Sequence, residues 1–128
     1  MHEREKGSMK KILVVDDEKN IRALFRDELE DEGYEVITAG GGQEALKKIR
    51  EEHPDLVLLD IRMEDMTGIE VLEVIRRTDK ILPVIMCTAV RGLKDDFTIW
   101  DAQVSDYITK PVDLDDLKTK VRTALGEK

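Results

Sequence analysis

Five polar side chains with the chemistry of metal and phosphate sites stand at the ends of short apolar runs. They are Asp16 and Asp17 after KILVV, Asp60 at the end of DLVLLD, Thr88 near the end of LPVIMCTA, and Lys110 after VSDYIT. Neighbouring carboxylates repel one another, and their burial is costly unless a cation lies among them. Oxygen ligands without imidazole or thiolate groups select Mg²⁺, with Mn²⁺ as the second candidate. The three aspartates therefore predict a metal site, to which the backbone carbonyl of Arg62 would add a ligand.

The same residues predict a site for a phosphoryl group. A metal cation and the ammonium group of Lys110 would offset the charge of the transferring oxygens, and Thr88 would donate a hydrogen bond. Asp60 is the predicted nucleophile, because a carboxylate can form an aspartyl phosphate. Ala89 is small and leaves room above that carboxylate.

The elements that must position these residues alternate along the chain. Five apolar runs predict strands over residues 11–15, 34–39, 55–60, 82–89 and 104–109, and a segment of helical spacing follows each run. Such alternation implies a doubly wound α/β fold, in which helices cover both faces of a five-stranded parallel sheet. Ligands of these sheets bind outside the carboxyl ends of the strands, which is where the five polar residues stand.

Apolar residues mark the buried sides of the predicted helices. The first helix has Ile21, Leu24, Phe25 and Leu29 at helical spacing, and Gly33 is its predicted C-terminal cap. The fourth predicted helix, residues 92–102, has Leu93, Phe97 and Trp100 on one stripe. The helices therefore supply the apolar cover that both faces of the sheet require.

Length and composition fit one globular domain. The chain has 128 residues, of which 41% are hydrophobic and 39% are charged, so a hydrophobic core under a charged surface is expected. We expect this domain to cover residues 9–126. The polar residues 1–8 are interpreted as a native tail or an expression remnant. No output domain is expected after the last predicted helix.

Charge and cysteine content argue against several classes of protein. The formal net charge of −8 disfavours direct contact with nucleic acid or an anionic membrane surface. No apolar run is long enough to span a bilayer. The single cysteine, Cys87, excludes an internal disulfide and disfavours a cysteine-based zinc site. A reducing, cytoplasmic setting is the simplest interpretation.

Together, these motifs resemble the receiver domain of two-component response regulators, of the chemotaxis-regulator type. The resemblance covers about residues 10–125 through ILVVDDEKNIR, PDLVLLDIRM, MTGIEVLEVIR, PVIMCTA and DYITKPVDLDDL. It implies a flavodoxin-like sheet with strand order 2-1-3-4-5. It also implies a signalling switch, in which a histidine kinase, a phosphotransfer protein or a small phosphodonor phosphorylates Asp60.

The resemblance gives the acidic residues distinct roles. Asp17, Asp60 and the Arg62 carbonyl would bind Mg²⁺ directly, whereas Asp16 would support the metal through water. Lys110 would pair with the phosphoryl oxygens.

The resemblance also implies a response to phosphorylation. Thr88 would swing toward the phosphate, and Tyr107 would rotate inward behind it. Pro111 would follow a cis peptide bond that aims Lys110. The change would remodel the face made by the fourth helix, the fifth strand and the fifth helix, where a downstream protein would bind.

Two departures from the family pattern matter. Glu64 stands where proline is common, which adds charge to the loop after Asp60. Gln103 stands where a glycine usually ends the fourth helix; a glutamine in a left-handed cap would be mildly strained, so a reshaped corner is expected there.

Structural interpretations of the same residues remain open at this point. An aspartate of the Asp16–Asp17 pair could cap the first helix, and Asp60 could be a turn residue. Thr88 suits a strand, Lys110 before Pro111 could precede the last helix, and Tyr107 could serve packing alone. Their joint occurrence favours the phosphoryl site.

Three other functions are alternatives to a receiver that acts as a switch and not as a turnover enzyme. The alternative is a Mg²⁺-dependent phosphatase with an aspartyl-phosphate intermediate, but such enzymes usually carry Asp-x-Asp and a cap insert. A flavin or nucleotide binder would need a glycine- or hydroxyl-rich loop where this chain has DDEKN. A degenerate receiver would not need the complete set of site residues. The expected oligomeric state is a monomer or weak homodimer.

Overall fold

The computed structural model describes residues 9–89 and 103–127. Within them, five strands and four helices alternate as predicted, except that the predicted fourth helix lies outside the described residues. The strands are β1 (Lys11–Val15), β2 (Glu35–Ala39), β3 (Leu56–Leu59), β4 (Val84–Thr88) and β5 (Asp106–Thr109). The helices are α1 (Lys19–Asp31), α2 (Gly42–Glu52), α3 (Gly68–Thr78) and α4 (Leu114–Ala124), the last being the fifth predicted helix.

The strands form one parallel sheet in the order β2-β1-β3-β4-β5, which confirms the predicted topology. β3 and β4 are buried along their whole length, as their continuous apolar sequences predict. The register pairs Val15 of β1 with Leu59 of β3, so the residues that follow these two strands emerge side by side. The sheet thereby brings Asp16 and Asp60 to one edge.

Helices cover both faces of the sheet. Alternate strand residues point to opposite faces, so each strand contributes to two core clusters. Leu13 and Val15 join one core cluster, which includes residues of α2 and α3. Ile12 and Val14 join a second cluster, which includes residues of α1 and α4. The doubly wound architecture is therefore confirmed for the part of the chain that is described.

The first helix ends as its glycine predicts. Gly33 has φ 94°, its backbone N–H bonds to the carbonyl of Glu30, and the N–H of Tyr34 bonds to that of Leu29. This pair of bonds is a Schellman motif, which satisfies carbonyls at the end of a helix. Phe25 and Leu29 are buried, but the prediction was wrong for Leu24, which is 42% exposed at the edge of the apolar stripe.

Within residues 9–89 and 103–127, two residues other than glycine have left-handed backbone conformations. Gln103 has φ 65°, the left-handed conformation that a glycine commonly adopts at a helix end. Its carbonyl accepts a 2.8 Å hydrogen bond from Nη2 of Arg76, so α3 holds this corner. His53 ends α2 with φ 51°, and its backbone N–H bonds to the carbonyl of Ile49. The sequence analysis did not identify this second position.

Candidate functional site

Backbone hydrogen bonds at the carboxyl edge of the sheet position the acidic residues. The N–H of Asp16 bonds to the Ala39 carbonyl at 3.1 Å, and that of Asp60 bonds to the Val15 carbonyl at 3.0 Å. These bonds continue the parallel ladders by one residue beyond the strands. Each carboxylate therefore stands on a rigid element, and its position does not depend on a free loop.

Lys110 connects the two buried carboxylates. Its Nζ lies 2.7 Å from Oδ2 of Asp16 and 3.4 Å from Oδ2 of Asp60. Asp16 is 1% exposed and Asp60 is 5% exposed, so both carboxylates need a cationic partner. The N–H of Lys110 bonds to the Thr88 carbonyl at 2.8 Å, which aligns β5 with β4 at this point. The structure thus brings together Asp16, Asp60, Thr88 and Lys110.

The negative charge of the Asp60 carboxylate is only partly offset by its surroundings. Burial raises the pKa of its carboxyl, the charge of Asp16 raises it further, and Lys110 opposes both effects without overcoming them. Burial lowers the pKa of Lys110, but its hydrogen bond to Asp16 and the charges of both aspartates outweigh burial and raise that pKa. The lysine remains a cation while the site retains excess negative charge.

The backbone after β1 gathers a third acidic side chain. Carboxylate oxygens of Asp16, Asp17 and Glu18 lie within 4.8 Å of one another, with Asp16 buried and the other two exposed. The N–H of Glu18 bonds to Oδ1 of Asp16 at 2.9 Å, and Arg22 donates to the Asp16 carbonyl at 2.7 Å. Three oxygen donors without nitrogen or sulfur suit a hard cation such as Mg²⁺. Glu18 was not among the predicted site residues, although it directly follows the two aspartates in the acidic run DDE.

A cleft of about 220 Å³ opens beside Asp60. Its lining holds most of the predicted site residues, together with Glu18: Asp17, Asp60, Arg62, Thr88, Ala89 and Lys110. Ala89 is exposed at its rim and Thr88 is fully buried. The acidic groups, the ammonium group and the small alanine therefore share one open space. A phosphoryl group and a hydrated cation both require such a space.

The loop after Asp60 is held tightly at its far end. The N–H of Gly68 bonds to the Ile61 carbonyl at 2.9 Å. A Cβ atom at Gly68 would lie 2.2 Å from the carbonyl oxygen of Asp60, so only glycine fits this approach. Glu64, the departure noted above, is exposed beside this loop and lines a neighbouring cleft with Asp65.

The remaining predicted residues flank the cleft. Tyr107 is buried and belongs to the core cluster beneath the sheet face covered by α2 and α3. The peptide bond between Lys110 and Pro111 is cis, as the resemblance implies. The residues predicted to form the fourth helix lie outside the described part of the chain, so the proposed partner face is represented by β5 and α4.

Comparison with known proteins decides the family. The model of the response regulator receiver domain matches residues 12–122. The chain belongs to this family. Among solved structures, a receiver domain protein (CheY-like) from Methanospirillum hungatei JF-1 shares 38% identity with a TM-score of 0.88, covering 93% of this chain and 95% of that one.

A second solved relative was crystallised in complex with Mg²⁺-BeF. Response regulator TrrA from Thermotoga maritima, in complex with Mg²⁺-BeF, shares 46% identity with a TM-score of 0.85. The match covers 91% of this receiver domain and 99% of TrrA. Receiver domains bind Mg²⁺ at an acidic pocket, and the group of Asp16, Asp17 and Glu18 is consistent with that pocket.

Curated relatives are transcriptional regulators. The alkaline phosphatase synthesis transcriptional regulatory protein PhoP of Bacillus subtilis is 41% identical over 116 residues, which are 91% of this chain and 48% of PhoP. A probable transcriptional regulator, ycf27 of Cyanophora paradoxa, has the same identity and coverage. The chain thus spans about half the length of the curated relatives it matches. The prediction of no direct contact with nucleic acid stays a prediction.

These comparisons bear on the rival functions. Receiver domains are regulatory switches in two-component signal transduction, and neither PhoP nor the solved receivers give support to the phosphatase alternative. In the described residues, no helix is long and apolar enough to cross a membrane.

Proposed function

We propose that this receiver domain is a Mg²⁺-dependent phosphoacceptor switch with Asp60 as the phosphorylated residue. The observation that carries the proposal is the position of Asp60. Its carboxylate is buried at the carboxyl edge of the sheet, 3.4 Å from Nζ of Lys110, and faces the cleft shared with Asp17, Thr88 and Ala89. A nucleophile, a cation and space for a phosphoryl group therefore meet at one point.

The phosphoryl group would come from a phosphohistidine of a histidine kinase or phosphotransfer protein. A carboxylate oxygen of Asp60 attacks phosphorus, the bond from phosphorus to the donor nitrogen breaks, and that nitrogen keeps the electron pair. Bound Mg²⁺ would offset the charge of the phosphoryl oxygens. Asp17, Asp60 and the Arg62 carbonyl would hold the metal directly, with Asp16 and Glu18 acting through water. Mn²⁺ suits the same donors.

Lys110 would exchange partners during this reaction. Before transfer, its ammonium group contacts the carboxylates of Asp16 and Asp60 at 2.7 and 3.4 Å. After transfer, the Asp60 oxygen carries a phosphoryl group whose own oxygens take over the contact with the ammonium. Thr88 would donate a hydrogen bond to the same oxygens. The negative charge moves outward from the sheet edge, and this displacement is the signal.

The output would be a change in protein–protein contact. Thr88 and Tyr107 would shift toward the site, and the face that includes β5 and α4 would change its packing. A downstream protein, or a further domain of a longer regulator, would recognise the altered face. We propose a cytoplasmic receiver that is a monomer or weak homodimer.

The test is the intact mass of the protein after incubation with acetyl phosphate, with and without Mg²⁺. We expect a single phosphoryl adduct in the wild type with Mg²⁺ and none in Asp60→Asn. An equal yield in Asp60→Asn would overturn the assignment of the residue. Lys110→Ala should still fold and bind Mg²⁺ but should fail to switch. The measurement is the spectrum of the protein before and after phosphorylation, and the difference seen in the wild type should be lost in this variant.

A further inference from the structure

A second carboxylate in the loop after Asp60 makes contacts that the phosphoacceptor site does not explain. Asp65 accepts hydrogen bonds from the N–H of Gly42 and the N–H of Gln43, each at 2.9 Å. The two oxygens of one carboxylate thus bind the first two N–H groups of α2, although the side chain is exposed. These bonds lower the pKa of Asp65, so the carboxylate is ionised at neutral pH.

The contact replaces a local helix cap. Gly41 stands at the N-cap position of α2 and has no side chain to offer, so the first N–H groups of the helix need an acceptor from elsewhere. Asp65 supplies it from a position more than twenty residues further along the chain. The cap of α2 is therefore also a tie between α2 and the loop that leaves the phosphoacceptor.

Gly41 and Gly42, at the start of α2, leave the space that this contact requires. A Cβ atom on Gly41 would lie 2.9 Å from Oδ1 of Asp65, and one on Gly42 would lie 2.1 Å from Cγ of Met66. Both positions must lack a side chain for the loop to approach α2. Two of the three consecutive glycines at residues 40–42 thus make room for the loop after Asp60.

The contact between Asp65 and α2 lies close along the chain to the proposed metal ligand, the Arg62 carbonyl. Arg62, whose carbonyl is the proposed ligand, stands between two anchors: the bond from the Gly68 N–H to the Ile61 carbonyl, and the carboxylate of Asp65 on α2. Glu64 stands where the family commonly has proline, so the backbone here lacks the rigidity that proline would give. An attachment to a helix terminus can supply that rigidity instead.

We propose that Asp65 is a positioning residue for the metal site, which fixes the Arg62 carbonyl by tying its loop to the N-terminus of α2. The proposal rests on the proposed function, because it takes the Arg62 carbonyl as a ligand of Mg²⁺. Residues that orient metal ligands typically affect affinity by roughly 10-fold to 100-fold. Asp65 acts through the loop, so the lower end of this range is expected.

The test is the dissociation constant of Mg²⁺, measured by calorimetry on the full chain at constant ionic strength. Asp65→Ala should raise it roughly 10-fold. Asp65→Asn removes the charge and keeps an acceptor oxygen for only one of the two N–H groups, so it should recover part of the affinity. Gly41→Ala keeps the charge but displaces the carboxylate from its bonds, so it should lose affinity as Asp65→Ala does.

Asp79→Ala is the matched control. Asp79 also accepts two backbone N–H bonds, from Ile81 at 3.0 Å and Leu82 at 2.9 Å, but it lies just before β4, at the opposite edge of the sheet. Its loss should lower the melting temperature and leave the affinity for Mg²⁺ unchanged. If Asp65→Ala behaves in the same way, Asp65 is a helix cap only and the proposal is wrong.

Two further outcomes would also overturn it. Wild-type affinity in Gly41→Ala, which keeps the charge of Asp65, would show that charge is responsible and that position is not. A wild type that binds no Mg²⁺ would overturn both proposals. A wild type that binds Mg²⁺ but gives no adduct on Asp60 would overturn the proposed function alone, because the affinity series still measures the role of Asp65.

Discussion

At the scale of single residues, Asp60 combines burial with an unfavourable charge. Its pKa is raised, so the folded state holds a proton more tightly than the unfolded chain does. Stability therefore falls as the pH rises from the ordinary value of 3.8 through the raised pKa. Above that raised pKa, the ionised carboxylate is a net cost to the fold. The group proposed to accept the phosphoryl group is therefore kept at the expense of stability.

Asp60→Asn should therefore raise the melting temperature at pH 7 by a few degrees in the absence of Mg²⁺. The gain should shrink as the pH falls through the raised pKa of the wild-type carboxyl, because that carboxyl then becomes protonated. Thermal unfolding followed by circular dichroism across this pH range measures the difference. A wild type that is more stable than Asp60→Asn at pH 7 would contradict the prediction.

The thiol of Cys87 is unreactive for a related reason. It is 2% exposed, and burial raises its pKa to about 12. Because the thiolate is the reactive form, alkylation of the folded protein at pH 8 should be at least roughly 100-fold slower than alkylation of the unfolded chain. Mass spectrometry after iodoacetamide treatment, with and without guanidinium chloride, measures both rates. Equal rates would place the thiol at the surface.

At the scale of elements, α3 begins with a reciprocal cap. Oγ1 of Thr67 accepts from the Glu70 N–H at 3.1 Å, and the Glu70 carboxylate accepts from the Thr67 N–H at 2.8 Å. Thr67→Ala should therefore cost about 1 kcal/mol in the free energy of unfolding. Urea titrations measure this change. Thr123→Ala is the control, because that hydroxyl only bonds back to Thr119 within α4, and its loss should be nearly neutral.

The elements were predictable where local patterns dominate. The apolar run of β1 and the glycine after α1 each determine their structure through neighbouring residues, and both predictions were confirmed. The cap on α2 was not predictable, because Asp65 and Gly42 meet only after the sheet has formed. The exposure of Leu24 was not predictable either. The spacing of apolar residues predicts a helix, but it does not set the width of the buried stripe on that helix.

The candidate site was likewise predictable only in part. Residues at strand ends were predictable because parallel strands bring their carboxyl ends to one edge, and the structure brings Asp16, Asp60, Thr88 and Lys110 together there. The closer contact of Lys110 with Asp16 than with Asp60 depends on side-chain geometry that no spacing pattern contains. Their roles in metal binding and phosphorylation stay predictions.

At the scale of the whole molecule, the acidic balance and the proposed metal site act together. A net charge of −8 raises the local concentration of cations, and the group of Asp16, Asp17 and Glu18 concentrates that charge at one edge of the sheet. Bound Mg²⁺ would relieve the repulsion that burdens the folded state. Binding to the folded state alone stabilises it by mass action.

Mg²⁺ should therefore raise the melting temperature of the wild type. At 100 times the dissociation constant, the expected stabilisation is about 2.7 kcal/mol, which corresponds to several degrees for a domain of this size. NaCl at equal ionic strength is the control, because general screening of the net charge would act without a specific site. Asp17→Asn removes one proposed ligand at an exposed position and should lose most of the Mg²⁺-specific increment while keeping the response to NaCl. An identical response to the two salts in the wild type would show that the acidic edge attracts cations without binding one.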